Sequence, residues 1–273
     1  MGFSGYCYPC TRKRICRCVS WYSVGRKYDA PLLLTQPTKY TEVTKAEIER
    51  LGATTVYLLG GEVAISADVE AELTKQGLEV IRLAGHSRVD TAIEIANEVV
   101  EEGSSEQAVL VNGYNFPDAL SVASYAAQAG IPILLTQTNK LPEATDQLLE
   151  DLNVNETLVI GGPVAVSEKV AKLVPNPERI SGHSREDTAV AVAEYFDVDS
   201  TKYYVTTGAD FPDALTVAAR AAKDNTGVLL VRNSLSEGVS TFITENDIDW
   251  IKVIGGPLAV SDKVLKELNK LLD

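Results

Sequence analysis

The chain has 273 residues, 45% of them hydrophobic and 23% charged, with a formal net charge of −13 at pH 7. That length suits about two ordinary domains, and the apolar content can fill a core. No run of about 18 apolar residues occurs, which excludes a membrane-spanning helix, and the acidic balance argues against a nucleic-acid partner.

The first 29 residues stand apart from the rest. They hold all four cysteines (Cys7, Cys10, Cys16 and Cys18) and six Lys/Arg against the single acid Asp29, a net +5. Residues 30–273 hold 19 Lys/Arg against 37 Asp/Glu, a net −18. The start is basic but has no apolar h-region, so no secretory signal is read there. Cys16-Arg17-Cys18 is too tight for paired C-x2-C knuckles, and no metal site is assigned. Arg14-Ile15-Cys16-Arg17-Cys18-Val19 can be encoded so that the frame one base later spells Gly-Phe-Ala-Asp-Ala-Leu. That string is close to the chain's own Asp210-Phe211-Pro212-Asp213-Ala214-Leu215. Our hypothesis is a frameshifted start, with the frame recovered before Asp29. Sequencing the locus tests it, and an upstream frame without such a repeat would overturn it.

From residue 30 the pattern alternates. Strand Pro31–Leu34, helix Thr44–Leu51, strand Thr55–Leu59, helix Ser66–Lys75 and strand Val80–Leu83 form a first, partial unit. The second unit is complete. A helix from Ser87 to Val100 carries its apolar stripe at Ala92, Ile95, Ala96 and Val99, and strand Ala108–Val111 ends at Asn112-Gly113. Pro117 opens a helix whose Ala119, Ala123 and Ala126 share one face suited to close packing on a sheet. Strand Ile131–Thr136, helix Leu141–Leu152, strand Thr157–Ile160, a short helix capped by Ser167 and a brief extension at Arg179-Ile180 follow. The third unit repeats this order, with strands Tyr203–Thr206, Gly227–Val231 and Trp250–Ile254. Its helices begin near Ser184, Pro212, Leu235 and Ser261. Such alternation predicts an α/β fold of tandem Rossmann-like parallel-sheet subdomains with right-handed crossovers. The organisation is read as an aberrant segment 1–29, a partial repeat 30–85, and full repeats 86–182 and 183–273.

The repeats carry motifs as well as elements. His86-Ser87-Arg88-Val89-Asp90-Thr91-Ala92 recurs 97 positions later as His183 to Ala189, and Phe116-Pro117-Asp118-Ala119-Leu120 recurs 95 later as Phe211 to Leu215. Gly60-Gly61, Gly161-Gly162 and Gly255-Gly256 each close an apolar run. Duplicated loops suit a binding array better than one catalytic centre. In open parallel sheets the ligand lies beyond the carboxyl ends of the strands, where these loops fall.

Each loop has two readings. Asp118 and Asp213 either favour a helix dipole or hydrogen-bond a ligand hydroxyl. Ser87 with Asp90, and Ser184 with Asp187, resemble capping boxes, which turn the serine hydroxyl toward backbone N–H groups and away from nucleophilic attack. Arg88 and Arg185 oppose the dipole of their own helices, so each needs a carboxylate partner, Asp118 or Asp213, or an anionic ligand. The Gly-Gly pairs are tight turns, since no G-x-G-x-x-G or Walker lysine accompanies them. His86 and His183, the only histidines, lie in different units, so no shared metal site is assigned. The candidate ligand-binding set is Arg88, Asp90, Thr91, Asp118, Arg185, Asp187, Thr188 and Asp213, with no catalytic residue, metal ligand or cofactor.

These motifs resemble the cell wall-binding type 2 repeat of bacterial surface proteins. The likeness rests on Arg88-Val89-Asp90-Thr91-Ala92, Phe116 to Leu120, Pro132-Ile133-Leu134-Leu135-Thr136 and Ile160-Gly161-Gly162, with counterparts at Arg185 to Ala189, Phe211 to Leu215 and Ile254-Gly255-Gly256. It covers about residues 30–273. The resemblance implies three repeats packed with pseudo-three-fold symmetry, here with an incomplete first subdomain. It further implies noncovalent anchoring to an anionic cell-wall polysaccharide outside the cell, and catalysis supplied by an attached effector domain. Three departures stand out. The first repeat lacks its Arg-Thr-Ala helix and Asp-Ala-Leu turn. Val231-Arg232 replaces the Thr-Gln of the other repeats. Val89 and Glu186 occupy a place often held by tyrosine.

A body at net −18 repels a polyanion. Binding must therefore run through local arginines, helix N-termini that accept anions, or bridging cations. The rivals to a binding module are a peptidoglycan-acting hydrolase using Asp118 and Asp213, and a purely structural spacer.

Overall fold

A computed structural model describes residues 27–100, 105–115, 117–198 and 200–272. The four cysteines, most of the segment 1–29 and Phe116 lie outside the described residues.

The second repeat contains α3 (Arg88–Val99), β3 (Gln107–Asn112), α4 (Pro117–Ala129), β4 (Ile133–Thr136), α5 (Glu143–Asp151), β5 (Glu156–Ile160), α6 (Glu168–Ala171) and β6 (Pro177–Ile180). Its sheet has the order β4-β3-β5-β6, parallel throughout. The third repeat contains α7 (Arg185–Phe196), β7 (Lys202–Thr207), α8 (Pro212–Lys223), β8 (Val228–Val231), α9 (Glu237–Glu245), β9 (Trp250–Ile254) and α10 (Asp262–Leu272), with parallel order β8-β7-β9. Register repeats with the elements: Val109 lies opposite Ile133 as Tyr204 lies opposite Val228. The first repeat keeps α1 (Glu42–Leu51), β1 (Thr55–Leu59), α2 (Ala67–Lys75) and β2 (Glu79–Leu83), the last two strands paired in parallel.

Pro31–Leu34 departs from expectation, because it forms no strand. Its counterparts β4 and β8 pair with the central strands β3 and β7, and no described strand of the first repeat occupies that central place. Leu32 is nonetheless buried, so the segment contributes its side chain to the core without a ladder. The extension at Arg179-Ile180 is a genuine strand, β6, lying beside β5.

The three repeats close on one another. Left-handed residues recur at equivalent places, Asp29, Gly130 and Asn225, with φ of 51°, 69° and 53°, the last two just past α4 and α8. Close to these residues, Gln128 Nε2 of the second repeat donates to Thr226 O of the third at 2.8 Å. Lys223 of the third bonds Asp29 of the first at 2.6 Å. Lys27 of the first donates to Glu98 O of the second at 3.0 Å. Each repeat thus reaches the next around a pseudo-three-fold ring, and one buried apolar cluster runs through all three.

At the hub, α4 is buried along almost its whole length, including Asp118, Ser121 and Ser124. The alanine spacing anticipates contact on one face only. Here α4 also packs against α7 and α8 of the next repeat, so its other faces are covered too. Tyr125 stacks on Phe196 with ring centroids 5.2 Å apart, and a Cβ on Gly227 would collide with its hydroxyl.

Candidate functional site

The candidate site is built from helix entries and strand-end loops. Ser87 caps α3 by accepting from the amides of Val89 and Asp90 at 3.1 and 3.2 Å, while Asp90 Oδ2 accepts from Ser87 N at 2.8 Å. This is the reciprocal box that the spacing predicts. Ser184 accepts from Asp187 N at 3.1 Å, so in the third repeat the cap runs one way. Thr91 and Thr188 are buried, and each hydroxyl accepts from the amide of Gly85 or Gly182 at 3.1 Å. Both threonines lock the approach to a helix. Asp90 and Asp187 flank them, half-buried.

Arg88 and Arg185 point out of their first turns toward the carboxyl ends of β3 and β7. Arg88 Nη1 donates to Gly113 O at 2.6 Å, and Arg185 Nη1 donates to Gly208 O. Neither forms the anticipated ion pair with Asp118 or Asp213; a backbone carbonyl takes that role. One bond leaves most of the five guanidinium donors open. Arg88 also lies over the ring of Tyr114, 4.3 Å from its centroid, a cation–π contact.

Asp118 begins α4 in the second repeat, yet the cation acting on it is Arg185 of the third. Burial pushes its carboxyl up to about 6, and the Arg185 guanidinium draws it back. No described hydrogen-bond donor reaches the carboxylate. It rests against Gly161, which adopts φ 99° and where a Cβ would overlap Oδ2. Asp213 sits against Gly255, φ 118°, in the same way. The first glycine of the second and third turns is therefore glycine for two reasons: a positive φ and the close approach of this aspartate. The structure sets Asp118 against the Gly161 turn and within the field of Arg185 across a repeat junction, without an ion pair. Arg88 with Tyr114, and Asp213 with Gly255, stand at the corresponding places of the other junctions.

Two contributors escape the sequence reading. Asn112, buried, donates to Thr138 Oγ1 and Ala165 O at 2.9 and 2.6 Å and accepts from the amides of Tyr114 and Asn115, shaping the loop before α4. Tyr114 is 59% exposed at the loop tip. An aromatic between Gly113 and Asn115 was the available signal; in the third repeat Ala209 stands there.

Two departures from the repeat pattern prove to be one feature. Arg232 Nε lies 2.9 Å from Oε1 of buried Glu186. Glu186 Oε1 nevertheless has no aligned hydrogen bond, so the contact is a charge pairing more than a directed bond.

The profile of the cell wall binding domain 2 (CWB2) family matches residues 19–70, 82–171 and 179–265. The chain belongs to this family. Among curated relatives of this CWB2 chain, the N-acetylmuramoyl-L-alanine amidase LytC of Bacillus subtilis is 32% identical over 241 residues, 88% of this chain and 48% of the relative. The amidase enhancer of the same organism is 31% identical over 249 residues, 90% of this chain and 34% of the relative. The chain thus spans half or less of either relative. Among solved structures, Cwp8 of Clostridium difficile superposes with a TM-score of 0.85 at 25% identity, covering 99% of this chain and 47% of that one. Cwp6 gives 0.86 at 24%, covering 100% and 44%. These likenesses bear out the tandem α/β reading. Among the described residues, no group of three or more His, Cys, Asp or Glu is placed to hold a metal ion. No helix there is long and apolar enough to cross a membrane.

Proposed function

We propose that the chain is a noncatalytic module that tethers a protein to the bacterial cell wall outside the cell by gripping an anionic wall glycopolymer. The observation that carries this reading is the junction of Asp118 and Arg185. A buried carboxylate without a described donor feels the charge of a guanidinium with unspent donors, near the carboxyl ends of parallel strands and without an ion pair between them. A polymer unit with an acidic group for Arg185 and a hydroxyl for Asp118 fits that pair. The serines of the helix entries accept from backbone amides, which speaks against a nucleophile there. Relatives in which the matched stretch is half or less of the protein support an attached effector domain as the bearer of any catalysis.

Sedimentation with purified walls tests the reading. Wild type should pellet with intact walls and remain in solution when their secondary polymers have been removed. Replacing Arg88 and Arg185 together by alanine should weaken binding by roughly tenfold at low salt and flatten its salt dependence, since exposed charge contacts are screened. Undiminished binding by the folded double variant would make both arginines purely structural.

A further inference from the structure

Glu186 and Arg232 set the third repeat apart from the others, and both stand beside Arg185. Glu186 takes the seat that Val89 takes in the second repeat, and both residues are buried. Arg232 takes the place of Gln36 and Gln137, and all three are exposed, so this position faces solvent in every repeat. Thr207 pairs with Val231 in register, and Gly208 N donates to Val231 O at 2.7 Å. Arg232 therefore leaves β8 beside Gly208, whose carbonyl holds Arg185, on strands about 4.8 Å apart. Arg232 Nε lies 2.9 Å from Oε1 of Glu186, the residue that follows Arg185 on α7. Two guanidiniums from different elements are thus anchored within one residue of each other at the same strand ends.

Stability does not explain the pairing. The second repeat fills the same two places with apolar Val89 and neutral Gln137, and a buried carboxylate facing a half-exposed guanidinium gains little over such a pair. What the pairing does is aim. It turns the Nε edge of Arg232 toward Glu186 and leaves the Nη groups without a hydrogen bond among the described residues. Arg185 likewise spends one donor, on Gly208 O. The second repeat offers a different surface at this place: a single guanidinium, Arg88, over the ring of Tyr114. In the third repeat Ala209 stands in place of that ring, so an aromatic platform has been exchanged for a second cation.

We infer that the strand-end site of the third repeat selects a phosphate group of the wall polymer, held between Arg185 and Arg232. Glu186 is the positioning residue that presents Arg232. A carboxylate has two coplanar oxygens, which one guanidinium fork can occupy. The oxygens of a phosphodiester are set tetrahedrally, so they can meet two forks that approach from different elements. On a chain of net charge −13, such a local pair of cations gives a polyanion a place to land. The inference rests on the wall-polymer reading above and names the acidic group that this one site takes.

Titration calorimetry with poly(glycerol phosphate) and with oligogalacturonate of matched length tests the assignment. Wild type should bind the phosphate polymer about tenfold more tightly. Arg232→Gln with Glu186→Val installs the second repeat's own pair and should reduce that preference to about twofold or less, with the fold kept by circular dichroism. Arg232→Lys should lose it as well, because an ammonium keeps the charge and lacks the fork. Full preference in either variant, or none in wild type, would overturn the site. The reciprocal graft, Val89→Glu with Gln137→Arg, should tighten binding of the phosphate polymer several-fold. If the first pair of changes unfolds the chain, the graft decides, and no gain overturns the site. Inorganic phosphate that displaces the polymer at equal phosphate concentration would overturn the polymer assignment in favour of the free anion. Failure of wild type to sediment with walls is a separate result that strikes the tethering function itself.

Discussion

Helices α4 and α8 begin with the same Pro-Asp-Ala-Leu, yet they end in different worlds. Helix α4 is enclosed by its own sheet and by α7 and α8, and carries Tyr125 where its partner carries Arg220. Helix α8 has one face that no described helix covers, and Arg220 there is mostly exposed. The difference teaches that the shared motif sets the helix start and its aspartate, while the neighbouring repeat decides what the rest of the helix must be. A position under a following repeat demands an apolar ring. The same position at an open flank accepts a guanidinium.

The largest expected effect tests that contrast directly. Tyr125→Ala removes a fully buried ring stacked on Phe196 and should cost about 4 kcal/mol in a urea melt. Arg220→Ala, at the matching exposed place, should stay within about 0.5 kcal/mol. Equal costs would mean that the two flanks are equally packed.

The Gly-Gly turn offers a second contrast within two residues. Gly161→Ala meets both a left-handed backbone and the Asp118 carboxylate, and should cost about 3 kcal/mol. A Cβ on Gly162 meets nothing within 4 Å, so Gly162→Ala should be close to neutral. If the two variants melt alike, the aspartate contact is not what keeps the turn glycine.

The third contrast is in pH. Asp118 holds its proton to about 6 in the folded chain, against an ordinary 3.8. Between those values the native state binds a proton that the unfolded state has released. Stability therefore falls as pH rises through that window and levels off above it, by on the order of 3 kcal/mol. Asp118→Asn should lack that fall, so the difference between wild-type and variant melts should carry it. A pH profile identical in wild type and variant would place the charge cost elsewhere.

The smallest effect compares equivalent strand positions. Ile133–Thr136 pairs with β3, whereas Pro31–Leu34 has no ladder. Amides of Leu32–Leu34 should exchange at least about tenfold faster than those of Ile133–Leu135. Matching protection would show that the first repeat completes its sheet.

Most of the fold was legible in the sequence, because strand and helix periods depend on neighbours a few residues away. The central strand ends, the proline-opened helices and the Ser87 box stand where their residue types require. The repeat also announced itself, since three Gly-Gly turns in phase with the strands leave few architectures. What sequence alone could not supply was everything decided across a junction. That Asp118 answers to Arg185 of the next repeat, that both arginines spend a bond on loop carbonyls, and that Glu186 is paired by Arg232 all depend on chain segments brought together by the ring. The loss of the Pro31–Leu34 strand has the same origin. Its local pattern is that of a strand, but a strand is a partnership of hydrogen bonds, and the partner comes only from the tertiary structure.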